Sequence, residues 1–358
     1  MRSRDATLPP SVESLPPAYF ALVMATGILS IAASDLQFDT LAKGLFGFNL
    51  LAYGVLVALT MLRAIRYPRR MTSELCDHGI GPGFFTTAAA SCILGVQLLL
   101  VTHSVRAAIV CFGIGTALWL GLTYTVFTAF TVKRRKPTLE RGITGAWLLA
   151  VVATQSVAVL AALLSREWPR PYQLEFNFLA LSMWLWGGMF YIWIISLIFY
   201  RYSFFKFSPS DLSPPYWINM GAMAISALAG ARLVENTIHA PFLAGLTPFL
   251  KGFTILYWAT ASWWIPMLLL LGVWRHVIRR FPLRYDPLYW GAVFPLGMYC
   301  VATEQMMRAF DLPFLYPIPW LMFALAVGAW GLTCLGMVIE LTRTAVSLLH
   351  RPRAHPRR

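Results

Sequence analysis

The sequence predicts an all-α polytopic membrane protein of ten transmembrane helices, paired as five parallel helical hairpins. Three observations carry this expectation. Of its 358 residues 58% are hydrophobic and 12% charged, about half the charged share of a soluble domain. Apolar windows of membrane length recur along the whole chain. The leads into alternate windows also resemble one another.

The first fifteen residues are polar and lack the apolar core of a cleavable leader, so the first apolar segment is expected to stay in the mature chain. The expected layout is a cytoplasmic tail at 1–15, a transmembrane domain at 16–345 and a basic cytoplasmic tail at 346–358. Within that domain the windows fall at about 17–35, 42–62, 84–102, 106–131 and 146–165. The second set is about 176–200, 217–234, 248–274, 287–309 and 319–342. The seventh is short enough to extend past Arg232 and Glu235.

The formal charge is +14, but its basic residues lie in short loops between apolar spans. They form no single patch or stripe, and no nucleic-acid partner is expected. All but seven of the 29 basic residues, the exceptions being Lys43, Arg106, Arg166, Arg170, Lys251, Arg232 and Arg308, fall on the side of the two tails. The positive-inside rule then places both termini in the cytoplasm of a multi-pass inner-membrane protein. The run "KRRK" at 133–136 is read as part of this topological signal.

The leads into the odd-numbered spans read "PPAYFALVMATGILS", "GPGFFTTAAASCILG", "TGAWLLAVVATQSVA", "SPPYWINMGAMAISALAG" and "DPLYWGAVFPLGMYC". Each has Pro or Gly, then an aromatic, then an apolar stretch rich in small residues. The aromatic anchors Phe20, Phe85, Trp147, Trp217 and Trp290 are spaced by 65, 62, 70 and 73 residues, about one hairpin with its loops. Every unit starts on the same side, so the repeats are parallel, and five parallel units around an axis close into a ring.

Few groups carry chemistry. The five cysteines (76, 92, 111, 300 and 334) include no CxxC pair, and the six histidines lie in loops, tails or helix ends. The chain is expected to be no enzyme and to need no metal or other cofactor. The odd spans carry Thr26, Ser30, Ser34, Ser91, Thr154, Gln155, Ser156, Asn219, Ser226, Tyr299 and Thr303. The even spans also hold Asn49, Thr116, Thr123 and Thr125. Small polar residues suit both a wet pore and close helix contact, and composition leaves the choice of inner helices open. Glu304 stands four residues before Arg308, a spacing at which such a pair interacts on a helix. Pro295 stands inside the ninth span beside the bulky Phe294, where a membrane helix is expected to bend.

The stretches "PPAYFALVMATGILS", "SPPYWINMGAMAISALAG" and "WGAVFPLGMYCVATEQM" resemble the tellurite-resistance/dicarboxylate transporter family, which includes the slow-type anion channels of plant guard cells. The resemblance spans all ten windows. It implies five hairpins around a central pore in each protomer, and a homotrimer. It also implies a pore-plugging phenylalanine on the ninth helix, which by its place in the motif is Phe294, followed by Pro295. The expected activity is conduction of small anions. The pore-lining candidates are Thr26, Ser30, Ser91, Gln155, Asn219, Ser226 and Thr303, and the mouth charges are Arg232, Glu304 and Arg308. A proton-coupled carrier for a C4-dicarboxylate such as malate is the alternative, with Glu304 as its ionisable group. Relatives usually bend several inner helices with proline. Here Pro295 is the only interior proline of the odd spans, which leaves Gly27, Gly95, Gly221 and Gly230 to serve elsewhere.

Overall fold

A computed structural model describes residues 12–349. The outermost parts of both expected tails, with Arg2, Arg4, Arg351, Arg353, Arg357 and Arg358, lie outside the described residues. Ten long helices follow in chain order: α1 (Ala21–Asp35), α2 (Asp39–Arg66), α3 (Phe85–Thr102), α4 (Val105–Val132) and α5 (Leu149–Leu164). They continue with α6 (Tyr172–Phe204), α7 (Ile218–Glu235), α8 (Thr247–Val273), α9 (Trp290–Phe310) and α10 (Pro317–Leu349). Nine of these are long and apolar enough to cross a membrane. The one that falls short is α9, whose far end carries Glu304, Gln305 and Arg308.

The odd helices form the interior. Each packs against the odd helices before and after it, and α9 packs back on α1, so the five close into a ring. Each also packs against the even helix that follows it, which leaves the even helices outside. Burial agrees: α5 is buried along its whole apolar window, whereas α2, α4 and α8 are buried over about a fifth of theirs. Outward-facing Leu51 and Ile65 of α2, Trp193 of α6 and Leu332 of α10 are exposed, as lipid-facing positions require.

Each inner helix is entered through one turn of 3-10 helix: Pro17–Phe20, Gly81–Phe84, Gly145–Leu148, Pro214–Trp217 and Pro287–Tyr289. These are the repeated Pro/Gly-aromatic leads. Proline suits the first turn because its missing N–H would have no intrahelical partner there. The five turns touch one another in the same cyclic order as the helices, forming a collar at one end of the ring. Glycine is needed at Gly145, where a Cβ would stand 2.6 Å from the Pro215 carbonyl oxygen.

The four glycines left to bend inner helices all stand at close side-chain contacts. None has a positive φ. A Cβ at Gly27 would stand 2.6 Å from Ile93, one at Gly95 2.6 Å from Leu160, and one at Gly221 2.7 Å from the Pro295 ring. Gly230 receives Thr254 of α8 in the same way. Small residues here bring backbones together, as in membrane helix pairs generally.

Candidate functional site

The ring encloses a cavity of about 20 Å³ on its axis, room for about one water molecule. All five inner helices line it. From α1 come Ile28 and Ile31, from α3 Ile93, Val96 and Leu100, and from α5 Ser156, Val159 and Leu163. Ile225, Leu228 and Arg232 come from α7, and Met298 and Val301 from α9. The spacing within each helix is three or four residues, the repeat of one helical face. The axis is therefore apolar at mid-depth, with a single hydroxyl at Ser156 and a single charge, Arg232, toward the end far from the collar.

Phe294 lies one turn before Met298 and two before Val301, on the same face of α9 and on the collar side of the cavity. Its ring is 1% exposed. One turn back on the other four helices, the same register gives Met24, Ala89, Val152 and Gly221, all buried. In that register the phenylalanine of α9 is matched by methionine, alanine, valine and glycine on the other four helices. Pro295 points elsewhere, with its ring seated on Gly221 of α7. Helix α9 runs through Pro295 without interruption.

None of the seven candidates lines the axial cavity, and the side chains of all but Ser226 bond to outer helices. Thr26 accepts a hydrogen bond from the Trp330 indole at 2.9 Å, and Thr303 from the Trp258 indole at 2.9 Å. Ser91 bonds the Tyr53 hydroxyl at 2.8 Å, and the Ser226 carbonyl accepts from Trp184 Nε1 at 2.9 Å. A fifth bond of this kind joins Trp119 Nε1 to Thr154 Oγ1 at 2.7 Å. Ser30 donates to the Ala42 carbonyl, Gln155 to the Trp184 carbonyl and Asn219 to the Tyr202 hydroxyl, all on outer helices or their approaches. The cause is chemical. A Trp or Tyr at membrane depth brings an N–H or O–H that has no water to bond, so the facing inner helix supplies an acceptor.

At the far end the charges are paired. Glu304 Oε1 accepts from Arg308 Nε at 2.8 Å and Nη2 at 2.6 Å. Gln305 donates to Asp35 Oδ2 at 2.8 Å, and Arg308 to the Asp35 carbonyl at 3.1 Å, so α9 is tied to α1. Arg232 meets Glu235 at 3.0 Å, and Glu235 also meets Arg166 at 2.6 Å. Arg166 Nε donates to Asn236 Oδ1, and Asn236 in turn donates to Ser165, Asn177 and the Ala162 carbonyl. Arg232 and Glu304 are 8% and 5% exposed.

The apolar lining of the axis escaped the sequence reading. Ile28, Ile93, Ile225 and Met298 look like ordinary core residues, because the inner helices are buried on nearly every side and leave no polar face to mark the axis.

A ring of five buried helices sheathed by five outer ones is the architecture of a polytopic membrane protein. A family model for voltage-dependent anion channels (SLAC1) matches residues 14–338, and the chain belongs to that family. It is similar to an uncharacterised membrane protein of Mycobacterium tuberculosis, 38% identical over 154 residues, which is 43% of this chain and 78% of the relative. An uncharacterised transporter of Methanocaldococcus jannaschii is 24% identical over 329 residues, 87% of this chain and 92% of the relative. A sulfite efflux pump of Arthroderma benhamiae is 21% identical over 335 residues, 87% of this chain and 86% of the relative. Together the family and these relatives make this an anion-transport protein of the tellurite-resistance/dicarboxylate transporter class.

Proposed function

We propose that small anions cross the membrane along the axis of the five-helix ring, and that Phe294 obstructs this path until it swings aside. In this reading α9 is the tenth membrane span, each odd helix forms a parallel hairpin with the even helix after it, and 16–345 is the conducting unit. The observation that carries the reading is the axial cavity shared by all five inner helices, with Phe294 one turn away on the same face. An apolar constriction one water wide is a barrier by dewetting as well as by size. Without fixed charge at mid-depth, an anion that enters finds no deep well from which it cannot leave. The basic collar side concentrates anions at the cytoplasmic mouth. Both termini lie in the cytoplasm of the cell membrane, and the protomers assemble as a homotrimer, each with its own path.

The experiment is a planar-bilayer recording on purified protein. Phe294→Ala is expected to raise anion conductance at least tenfold over wild type, while a variant no more conductive than wild type removes Phe294 as the obstruction. The second reading, a proton-coupled dicarboxylate carrier, draws on the buried Glu304, whose Oε2 has no partner. Strictly pH-driven malate uptake with no conductance would establish it. The efflux of sulfite by a relative supports a small oxyanion over a large one as cargo.

A further inference from the structure

At the end of the inner helices far from the collar, two buried polar atoms, one on α7 and one on α9, lack partners, and they differ in kind. Arg232 Nε is an N–H donor on a side chain that lines the axial cavity, and Glu304 Oε2 is a carboxylate acceptor. The other Arg232 contact goes to Glu235, and the other Glu304 oxygen goes to Arg308. The two residues stand at the same level. Ala231 of α7 packs with Met306 of α9, and the Asp35 carboxylate of α1 lies within electrostatic reach of Arg232, Arg308 and Glu304 together. A buried donor and a buried acceptor left open each cost stability unless something fills them.

We propose that this end of the axis is an oxyanion subsite, in which Arg232 Nε–H donates to a ligand oxygen and Glu304 Oε2 accepts from the ligand's own hydroxyl. The site then prefers singly protonated oxyanions to bare ones of equal charge and shape. Such a ligand is the one anion that can stand beside a carboxylate without loss. Its negative oxygen faces Arg232, and its O–H turns the Glu304 contact from repulsion into a charge-assisted hydrogen bond. A chloride or nitrate ion offers Glu304 no proton. The cavity holds about one water in the closed ring, so occupation accompanies widening of the axis. The subsite rests on the axial-pore reading above.

Bicarbonate and nitrate make the test, because both are planar, singly charged and of similar size, and only bicarbonate carries a hydroxyl. Reversal potentials of purified wild-type protein in planar bilayers are measured at one pH near 8 with chloride, nitrate and bicarbonate. The expected result is a permeability preference for bicarbonate over nitrate of about tenfold, the worth of one hydrogen bond to a charged group. In Glu304→Gln the amide oxygen must take the place facing Arg308, which leaves the amide NH₂ toward the ligand. That variant is expected to lose the preference and to favour nitrate, with its chloride current reporting an intact pore. Nitrate passing as well as bicarbonate in wild type overturns the subsite without touching the pore, and so does an unchanged preference in a conducting Glu304→Gln. Should the variant not fold, the wild-type ratio decides alone. Absence of current for every anion in Phe294→Ala as well as in wild type overturns the axial-pore reading, and the subsite with it.

Discussion

Trp330, on the last helix of the chain, donates its indole N–H to Thr26 on the first, at 2.9 Å. Four similar bonds run around the ring, from Tyr53 to Ser91, Trp119 to Thr154, Trp184 to the Ser226 carbonyl and Trp258 to Thr303. Each donor lies between the twelfth and fifteenth residue of its outer helix. Each reaches the inner helix that follows in cyclic order, so the Trp330 bond joins the end of the chain to its beginning. The outer helices thus clamp each seam between neighbouring inner helices.

Loss of this closing bond is expected to be felt but not to unfold the protein. Thr26→Val keeps the shape and strands the Trp330 N–H, at a cost of about 0.6 kcal/mol and at most about 1.7, the range for interhelical hydrogen bonds in membranes. Thermal unfolding in detergent should show a small drop in Tm. Trp330→Phe should cost more, because the indole also packs edge-on against Phe48 at 5.8 Å and against Trp290 at 6.3 Å.

Gly221→Ala is expected to act on the obstruction through Pro295. Its Cβ would stand 2.7 Å from Pro295 Cγ and 3.3 Å from Pro295 Cα, and a proline ring fixed in a helix cannot turn away as a flexible side chain would. The overpacking should cost about 1–3 kcal/mol. It should also raise basal anion conductance by moving α9 and Phe294 with it. Gly44→Ala on α2, where nothing lies within 4 Å, is the control, and helix propensity alone makes it neutral to stabilising by up to about 1 kcal/mol.

What could be read from the sequence was local. The Pro/Gly-aromatic leads before Phe20, Phe85, Trp147, Trp217 and Trp290 are short-range signals, and they became the five collar turns. The direction in which side chains point was not legible. On a helix such as α5, buried through all sixteen residues, no polar face contrasts with an apolar one. Thr154 and Ser156 look equivalent in sequence, yet Thr154 bonds outward to Trp119 while Ser156 lines the axis. Only the partner's position, set more than thirty residues away, separates them. The ninth span was expected on the strength of its lead and its length, although Glu304, Gln305 and Arg308 make its far end less apolar than the others.

Arg63 and Glu74 form a largely buried pair near the collar, with side chains 3% and 16% exposed and an N–O distance of 2.6 Å. Arg63 Nε also donates to the Glu13 carbonyl at 3.1 Å, which ties the segment before α1 to the end of α2. Glu74→Gln should be strongly destabilising, by about 3 kcal/mol, because a buried guanidinium loses its countercharge. Replacing both residues together, as Arg63→Met with Glu74→Leu, should recover most of that loss. A double-mutant cycle of unfolding free energies measures the coupling.

Stability near the collar should depend on pH through His78. Its ring stacks on Phe130 with centroids 4.2 Å apart and lies 6.0 Å from Trp147. Burial, then the positive charge of Lys133, lowers its pKa below the ordinary 6.5; Asp77 opposes this and Lys136 adds a smaller lowering. The unfolded chain therefore takes up the proton first as pH falls. The contribution of neutral His78 is fully present above 6.5 and is lost progressively as pH falls from 6.5 to the lower folded value. The difference in Tm between wild type and His78→Phe isolates the imidazole, because both proteins share every other titrating group. That difference should be constant above pH 7 and should shift against wild type below about 6.5. A difference that does not change with pH across that window would show that His78 gains its proton as easily in the folded protein as in the unfolded chain.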